Sequence, residues 1–150
     1  MIQITHRLPN WEKHYHSVIA RREWKPFHRR LNDCVRFTAL MIFEITGVKL
    51  GEEFTKQYRS DLGASRLLSK LGKDGFLHAA DKVLTQVGIQ PCDWRMAQRG
   101  DPVFFSGDVG KNELEQGLGI CVGQYAMSPG LKGLIKIPMN RAKAAWHIPF

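Results

Sequence analysis

Two adjacent residues, Asp33 and Cys34, are the clearest candidates for chemistry in the sequence. They open the stretch Asn32 to Gly47, NDCVRFTALMIFEITG, in which Asn32 and Asp33 are both good N-cap residues and Gly47 supplies a C-terminal stop. From Cys34 the stretch is apolar almost all the way round, through Val35, Phe37, Ala39, Leu40, Met41, Ile42, Phe43 and Ile45. Only Arg36, Thr38 and Glu44 interrupt it. A helix that is apolar on every face is a buried one, with other elements packed about it. Cys34 then falls in the first turn of a central helix, beside backbone N–H groups that lack intrahelical partners. The helix dipole there favours a thiolate, the form in which cysteine acts as a nucleophile. The competing reading is a core cysteine, because free cysteine is among the most buried residue types.

The other reactive side chains form no recognisable set. Cys34, Cys92 and Cys121 are odd in number and contain no C-x-x-C pair, which argues against a disulfide framework and against zinc. No metal site and no cofactor site is expected. His78 lies on or near the edge of a helix with no second ligand spaced to help it, and reads as a surface or half-buried histidine. His147 stands beside Trp146 in the last strand candidate.

The 150 residues suit one domain with a core of its own. The start, MIQITHRLPNWEKHYH, has no apolar signal region, and no stretch approaches the length of a membrane span. These features predict a soluble protein folded in a reducing cytoplasm. The net charge is +8, from 22 Lys and Arg against 14 Asp and Glu. The excess is concentrated early, where Arg7, Lys13, Arg21, Arg22, Lys25, Arg29, Arg30 and Arg36 face only Glu12, Glu23 and Asp33. Such a segment suits an acidic partner or an acidic cell-surface polymer, or is simply a solvated face. No recognition-helix motif, aromatic-basic RNA motif or P-loop accompanies it, which weighs against nucleic acid.

The elements that must position Cys34 follow from periodicity. Residues 11 to 24 place Trp11, Tyr15, Val18, Ile19 and Arg22 at helical spacing, and Pro26 ends that helix. This basic helical segment, residues 1–31, precedes a core of residues 32–150. Val48 to Asp61 reads as a loop, and Ala64 to Leu71 as a short helix closed by Gly72. Gly75 to Val87 reads as a further helix, with Phe76, Ala80, Val83, Leu84 and Val87 on one face and Gly88 as its stop. The period changes at Pro91. Strands are expected at 102 to 105, 118 to 126, 131 to 137 and 145 to 148, with turns at Ser128-Pro129-Gly130 and Pro138-Met139-Asn140. Helices first and strands after give an α+β domain, a helical half packed on a small antiparallel sheet or open barrel.

That order resembles the NlpC-type cell-wall peptidases, a papain-like superfamily. Asp33-Cys34 match the family's aspartate and nucleophilic cysteine at the start of the buried helix. Gly100-Asp101-Pro102-Val103-Phe104-Phe105 matches its Gly-Asp strand. Gly117-Leu118-Gly119-Ile120-Cys121-Val122-Gly123 matches the strand that usually reads His-Val-Gly-Ile. The resemblance covers most of residues 32–150 and implies a papain-like fold with Cys34 as the catalytic position. It also implies a base at position 117, where this sequence has glycine. A thiol without an adjacent base lacks the proton shuttle that amide hydrolysis needs. Two rescues are open, a shifted loop or a histidine from elsewhere. His147, the only histidine in the sheet half, is the first candidate, against the plainer reading of a strand residue beside Trp146 that points to solvent.

The segments are most similar to small phage-encoded members of this superfamily found among tail-tip and tail-assembly genes. Those carry a Leu-Gly strand in place of the histidine one and an Ala-Trp final segment, as Ala145-Trp146 does here. The resemblance implies a structural protein of the tail tip or baseplate with a degenerate peptidase fold, located in the virion and, during assembly, in the host cytoplasm. Its partners would be other tail proteins. The alternative is an active cysteine peptidase that cleaves peptidoglycan cross-links during genome delivery. A third reading, a module that binds peptidoglycan or another acidic polymer, draws on the basic first third.

Overall fold

The computed structural model describes residues 3–26, 33–50, 75–106, 116–130 and 132–150. These form three α-helices, α1 (Trp11–Arg22), α2 (Cys34–Thr46) and α3 (Gly75–Gln86). Six strands accompany them: β1 (Gln90–Cys92), β2 (Pro102–Ser106), β3 (Gln116–Cys121), β4 (Tyr125–Gly130), β5 (Gly133–Pro138) and β6 (Ala142–His147). The strands make one antiparallel sheet in the order β1-β6-β2-β3-β4-β5. The α+β class and the single antiparallel sheet are as expected. The helix expected at 64 to 71 lies outside the described residues.

Two strands depart from the sequence reading. Tyr125–Gly130 is a strand of its own, although its Ser128-Pro129-Gly130 carries turn residues. Pro129 lacks the N–H that a partner strand would use, and the β3–β4 pairing covers only Ile120 with Met127 and Cys121 with Ala126. Ser128 Oγ donates instead to the Leu118 carbonyl at 2.8 Å. The chain therefore passes through β4 and turns after it. Strand β1, with Pro91 at its centre, has too little apolar pattern to be read and is held by its pairing with β6.

The strongly apolar α2 is buried because both the sheet and α1 pack against it. The sheet packs against one side, chiefly through β3, and α1 covers another. Phe37, Met41 and Ile45, spaced by four, share a core with Phe104, Leu118, Ile120, Trp146 and Ile148 of the sheet half. Tyr15 and Val18 of α1 and Ala80, Val83, Leu84 and Val87 at α3 complete it. Glu44, which breaks the apolar run, reaches α1 through His14 at 3.2 Å and Arg21 at 3.6 Å. The opposite face of the sheet carries a smaller cluster, Val103, Cys121, Ala126, Met139, Ala142 and Ala145, with Cys92, Trp94 and Ala97 packed against it.

One buried ion pair ties the first residues to the last strands. Arg7 donates from Nη2 to Asp101 Oδ1 at 2.8 Å, from Nη1 to the Arg99 carbonyl at 2.7 Å and from Nε to the Ile148 carbonyl at 3.1 Å. Its guanidinium lies between the rings of Trp11 and Phe150, at 4.4 and 4.2 Å. Asp101 also accepts from the backbone N–H groups of Ile148 at 3.0 Å and Gln98 at 2.8 Å. Burial works against the Arg7 charge, and the Asp101 carboxylate works for it.

Two substitutions test these supports. Phe37→Ala should lower unfolding free energy by roughly 3–5 kcal/mol, read from urea unfolding; a loss under about 1 kcal/mol would make α2 peripheral. Arg7→Ala, which leaves Asp101 buried without its cation, should also cost roughly 3–5 kcal/mol. A near-neutral result there would show the pair to be dispensable.

Candidate functional site

Cys34 is the first residue of α2, as its sequence setting predicts. Asp33 caps the helix, its Oδ1 accepting from the Arg36 N–H at 2.7 Å, and Oδ2 takes the Arg36 guanidinium at 2.5 Å. Burial pushes the Asp33 carboxyl up, and Arg36 opposes that rise. Asn32, the other capping candidate, lies outside the described residues. The capping role thus belongs to Asp33, whose carboxylate is committed to Arg36.

The electrostatic expectation for Cys34 does not hold. Its thiol is buried in the main core, and burial pushes its pKa up to about 12. The Leu118 N–H and the N–H groups of the helix start favour the thiolate, while the Asp33 charge opposes it. Desolvation exceeds the help available from the helix terminus, so the thiol stays protonated at neutral pH. One turn along, the Thr38 hydroxyl is buried with no hydrogen-bond partner among the described residues. Nor does any histidine among them hydrogen-bond the Cys34 sulfur.

Strand register decides which residue of β3 faces this thiol. Phe104 pairs with Leu118, and both belong to the core that contains Cys34. Phe105 pairs with Gly117 one residue along, so both turn to the other face of the sheet. A Cβ on Gly117 would meet the Phe105 ring at 2.8 Å. The register between β2 and β6 slips between Phe104 and Phe105. Position 117 therefore lies on the face away from the core of Cys34 and its space is filled, while Leu118, whose backbone N–H reaches the thiol, turns a fully buried side chain into that core.

His147 does not substitute. Trp146 and Ile148 enter the core with Cys34, and His147 between them turns to the opposite face. There its Nδ1 lies 3.0 Å from Asp101 Oδ2. It is neither the relocated base nor a strand residue simply facing solvent, because Asp101 holds it. The Gly100-Asp101 motif was legible as a strand start, but nothing in the sequence linked Asp101 to Arg7 or His147.

The structure also brings together residues that the sequence left apart. A cleft of about 470 Å³ between α3 and the β1–β6 edge is lined by His78, Asp81, Cys92, Lys143 and Trp146 among others. His78 is exposed, and Trp146 Nε1 donates to Asp81 Oδ1 at 2.9 Å. Burial, with the charges of Asp101 and Asp93, pushes the half-buried Cys92 thiol up to about 11. Among the described residues no group of His, Cys, Asp and Glu could hold a metal ion, and no helix is long and apolar enough to cross a membrane.

Residues 6–148 match the family described as "Domain of unknown function (DUF6950)". The chain belongs to the DUF6950 family. No curated protein matches it. The DUF6950 span takes in Arg7, Cys34, Asp101, Leu118 and His147, so the ion pair and the buried thiol both lie within the family's domain.

Thiol titration checks the assignment of Cys34. At pH 7 the native protein should take up alkylating reagent at Cys92, the least buried thiol, well before Cys34, with mass spectrometry locating the label. The folded pKa of Cys34 lies above its ordinary value of 9.0. Its contribution to stability is therefore complete below pH 9 and is lost as pH rises towards about 12. Cys34→Ala should flatten that alkaline decline in unfolding free energy. Rapid alkylation of native Cys34 at pH 7 would refute the buried, protonated thiol.

Proposed function

We propose that this DUF6950 chain is a structural or assembly protein of a phage tail tip or baseplate, with a papain-like, NlpC-type fold that no longer supports hydrolysis. The observation that carries the loss of hydrolysis is the setting of the Cys34 thiol, buried in the apolar core and met on the β3 side by the Leu118 backbone N–H, with no histidine among the described residues hydrogen-bonded to it. Position 117, which the family resemblance aligns with the base, faces away and is filled by the Phe105 ring. A protonated, buried thiol with no imidazole beside it among the described residues can neither attack an amide efficiently nor protonate the leaving amine. The general acid–base contribution alone is typically worth about 10²–10⁴-fold in rate.

The fold reading draws support from the buried helix that opens with Asp33-Cys34 and packs on an antiparallel sheet beginning after Gly100-Asp101. The tail reading draws support from the Leu118-Gly119 and Ala145-Trp146 segments, which match the phage members of the superfamily. Its partners would be neighbouring tail proteins, and its place the virion.

Complementation separates this reading from an active peptidase. In a phage that encodes the chain, deleting the gene should give particles with defective tails and abolish plaques. Wild type and Cys34→Ala should restore plaque counts equally. Particles with normal tails but no infectivity in Cys34→Ala, together with peptidoglycan-fragment cleavage by wild type alone, would establish the peptidase instead. Normal, infectious particles from the deletion would remove the tail assignment.

A further inference from the structure

We propose that the outer edge of β5 binds an extended, acidic segment of a partner protein as an added strand. This goes beyond the tail reading and does not depend on it. The two edges of the sheet differ. At one, β1 is three residues long with Pro91 at its centre, which offers no donor there. At the other, β5 runs for six residues, about 20 Å at the usual rise of a strand.

The hydrogen-bond pattern fixes which groups of β5 point outward. Leu134 pairs with Pro129, and its N–H donates away from the sheet to the Glu23 carbonyl at 2.9 Å. Alternation then turns the main-chain groups of Lys136 and the carbonyl of Pro138 the same way, while Ile135 and Ile137 bond inward to β4. Among the described residues nothing pairs with the Lys136 N–H or carbonyl. The segment after α1 already uses this edge at its first position. It lies so close to Gly133, at φ +133°, that a Cβ there would run into the Glu23 carbonyl. The added strand would continue that pairing towards Pro138.

The side chains around the edge suit such a segment. Trp24, next to Gly133, is 80% exposed, and Tyr125, which pairs with Pro138, is 42% exposed. Two of the large hydrophobic side chains exposed among the described residues thus bracket the part of the edge that no described residue pairs with, one at each end. Between them Lys136 places Nζ 5.9 Å from the Tyr125 ring centre. Lys132 precedes the strand, and Arg22 and Lys25 flank the turn that covers its start, with Glu23 as the one carboxylate in that run. A lysine on an edge discourages pairing with a second copy of this chain, whose net charge is +8, and favours a partner of opposite sign. Main-chain bonds would give register and the alternate acidic side chains selectivity, as in other strand-addition complexes.

Amide hydrogen exchange of the full chain tests this with two synthetic octapeptides, one alternating Glu and Val and the other Lys and Val. The Glu peptide should slow exchange of the Lys136 amide at least tenfold and leave Ile135 and Ile137 unchanged. The Lys peptide should slow none of them. Lys136→Pro removes the outward N–H without touching the inward ladder and should abolish binding of the Glu peptide, while Trp24→Ala should weaken it at least fivefold. If Lys136→Pro does not fold by thermal melting, Lys136→Glu serves, and should reverse the preference to the Lys peptide. No protection at millimolar Glu peptide overturns the proposal, as does binding that survives both the position-136 variant and Trp24→Ala. Equal protection of the Lys136 amide by a single-stranded oligonucleotide would assign the edge to polyanions in general and overturn strand addition.

Discussion

The Arg7–Asp101 pair is the constraint on which the arrangement of the chain depends. Both groups are almost wholly out of water, and each has its hydrogen-bonding capacity engaged by the other or by backbone. A buried pair of this kind adds little net stability over an apolar contact, because desolvating two charges offsets much of their attraction. Its value is positional. Arg7 holds the carbonyls of Arg99 and Ile148, and Asp101 holds the N–H groups of Gln98 and Ile148 together with His147. The N-terminal segment, the start of β2 and the end of β6 are thereby fixed to one point, and α1 follows through Trp11. An apolar replacement would fill the same volume without specifying which backbone groups meet.

That fixed point also explains why the sheet's conspicuous histidine is not available to the thiol. The antiparallel register that brings Asp101 to His147 puts the imidazole on the face opposite α2. Strand alternation leaves no intermediate choice, since a one-residue slip would bring Trp146 out of the core. The face that Cys34 meets is apolar through Phe104, Leu118 and Ile120, and the small residues Gly117 and Gly119 lie under Phe105 on the other side. Gly117 is a packing residue of β3, present because the Phe105 ring needs the space.

Much of the fold was legible in the sequence, and the parts that were not have physical causes. The three described helices follow from apolar spacing, from Asp33 as a cap and from Gly47 and Gly88 as stops, all local signals. Strand β4 was hidden because Ser128-Pro129-Gly130 carries turn chemistry. Tertiary pairing with β5 overrides it, and a side-chain hydroxyl replaces the missing ladder bond. Strand β1 exists only because β6 pairs with it. The candidate thiol was legible in position and misjudged in chemistry, since a helix start argues for ionisation while burial, a property of the whole packing, argues more strongly against it. Arg7 and Asp101 lie far apart in the chain, and no spacing rule joins them.

The strand order carries a consequence for how the domain is made. Strand β6, last in chain order, is inserted between β1 and β2 and pairs with both. Until residues 142–147 have left the ribosome, β1 has no partner and β2 has one open side. The N-terminal arm waits as well, because Ile148 supplies part of its anchorage. Helices can form early, but the sheet is completed only by its latest-synthesised strand, which makes nascent chains dependent on protection of exposed apolar surface. A chain cut short before β6 would lose more than an edge: it would divide the sheet and unfasten both ends of the domain at once.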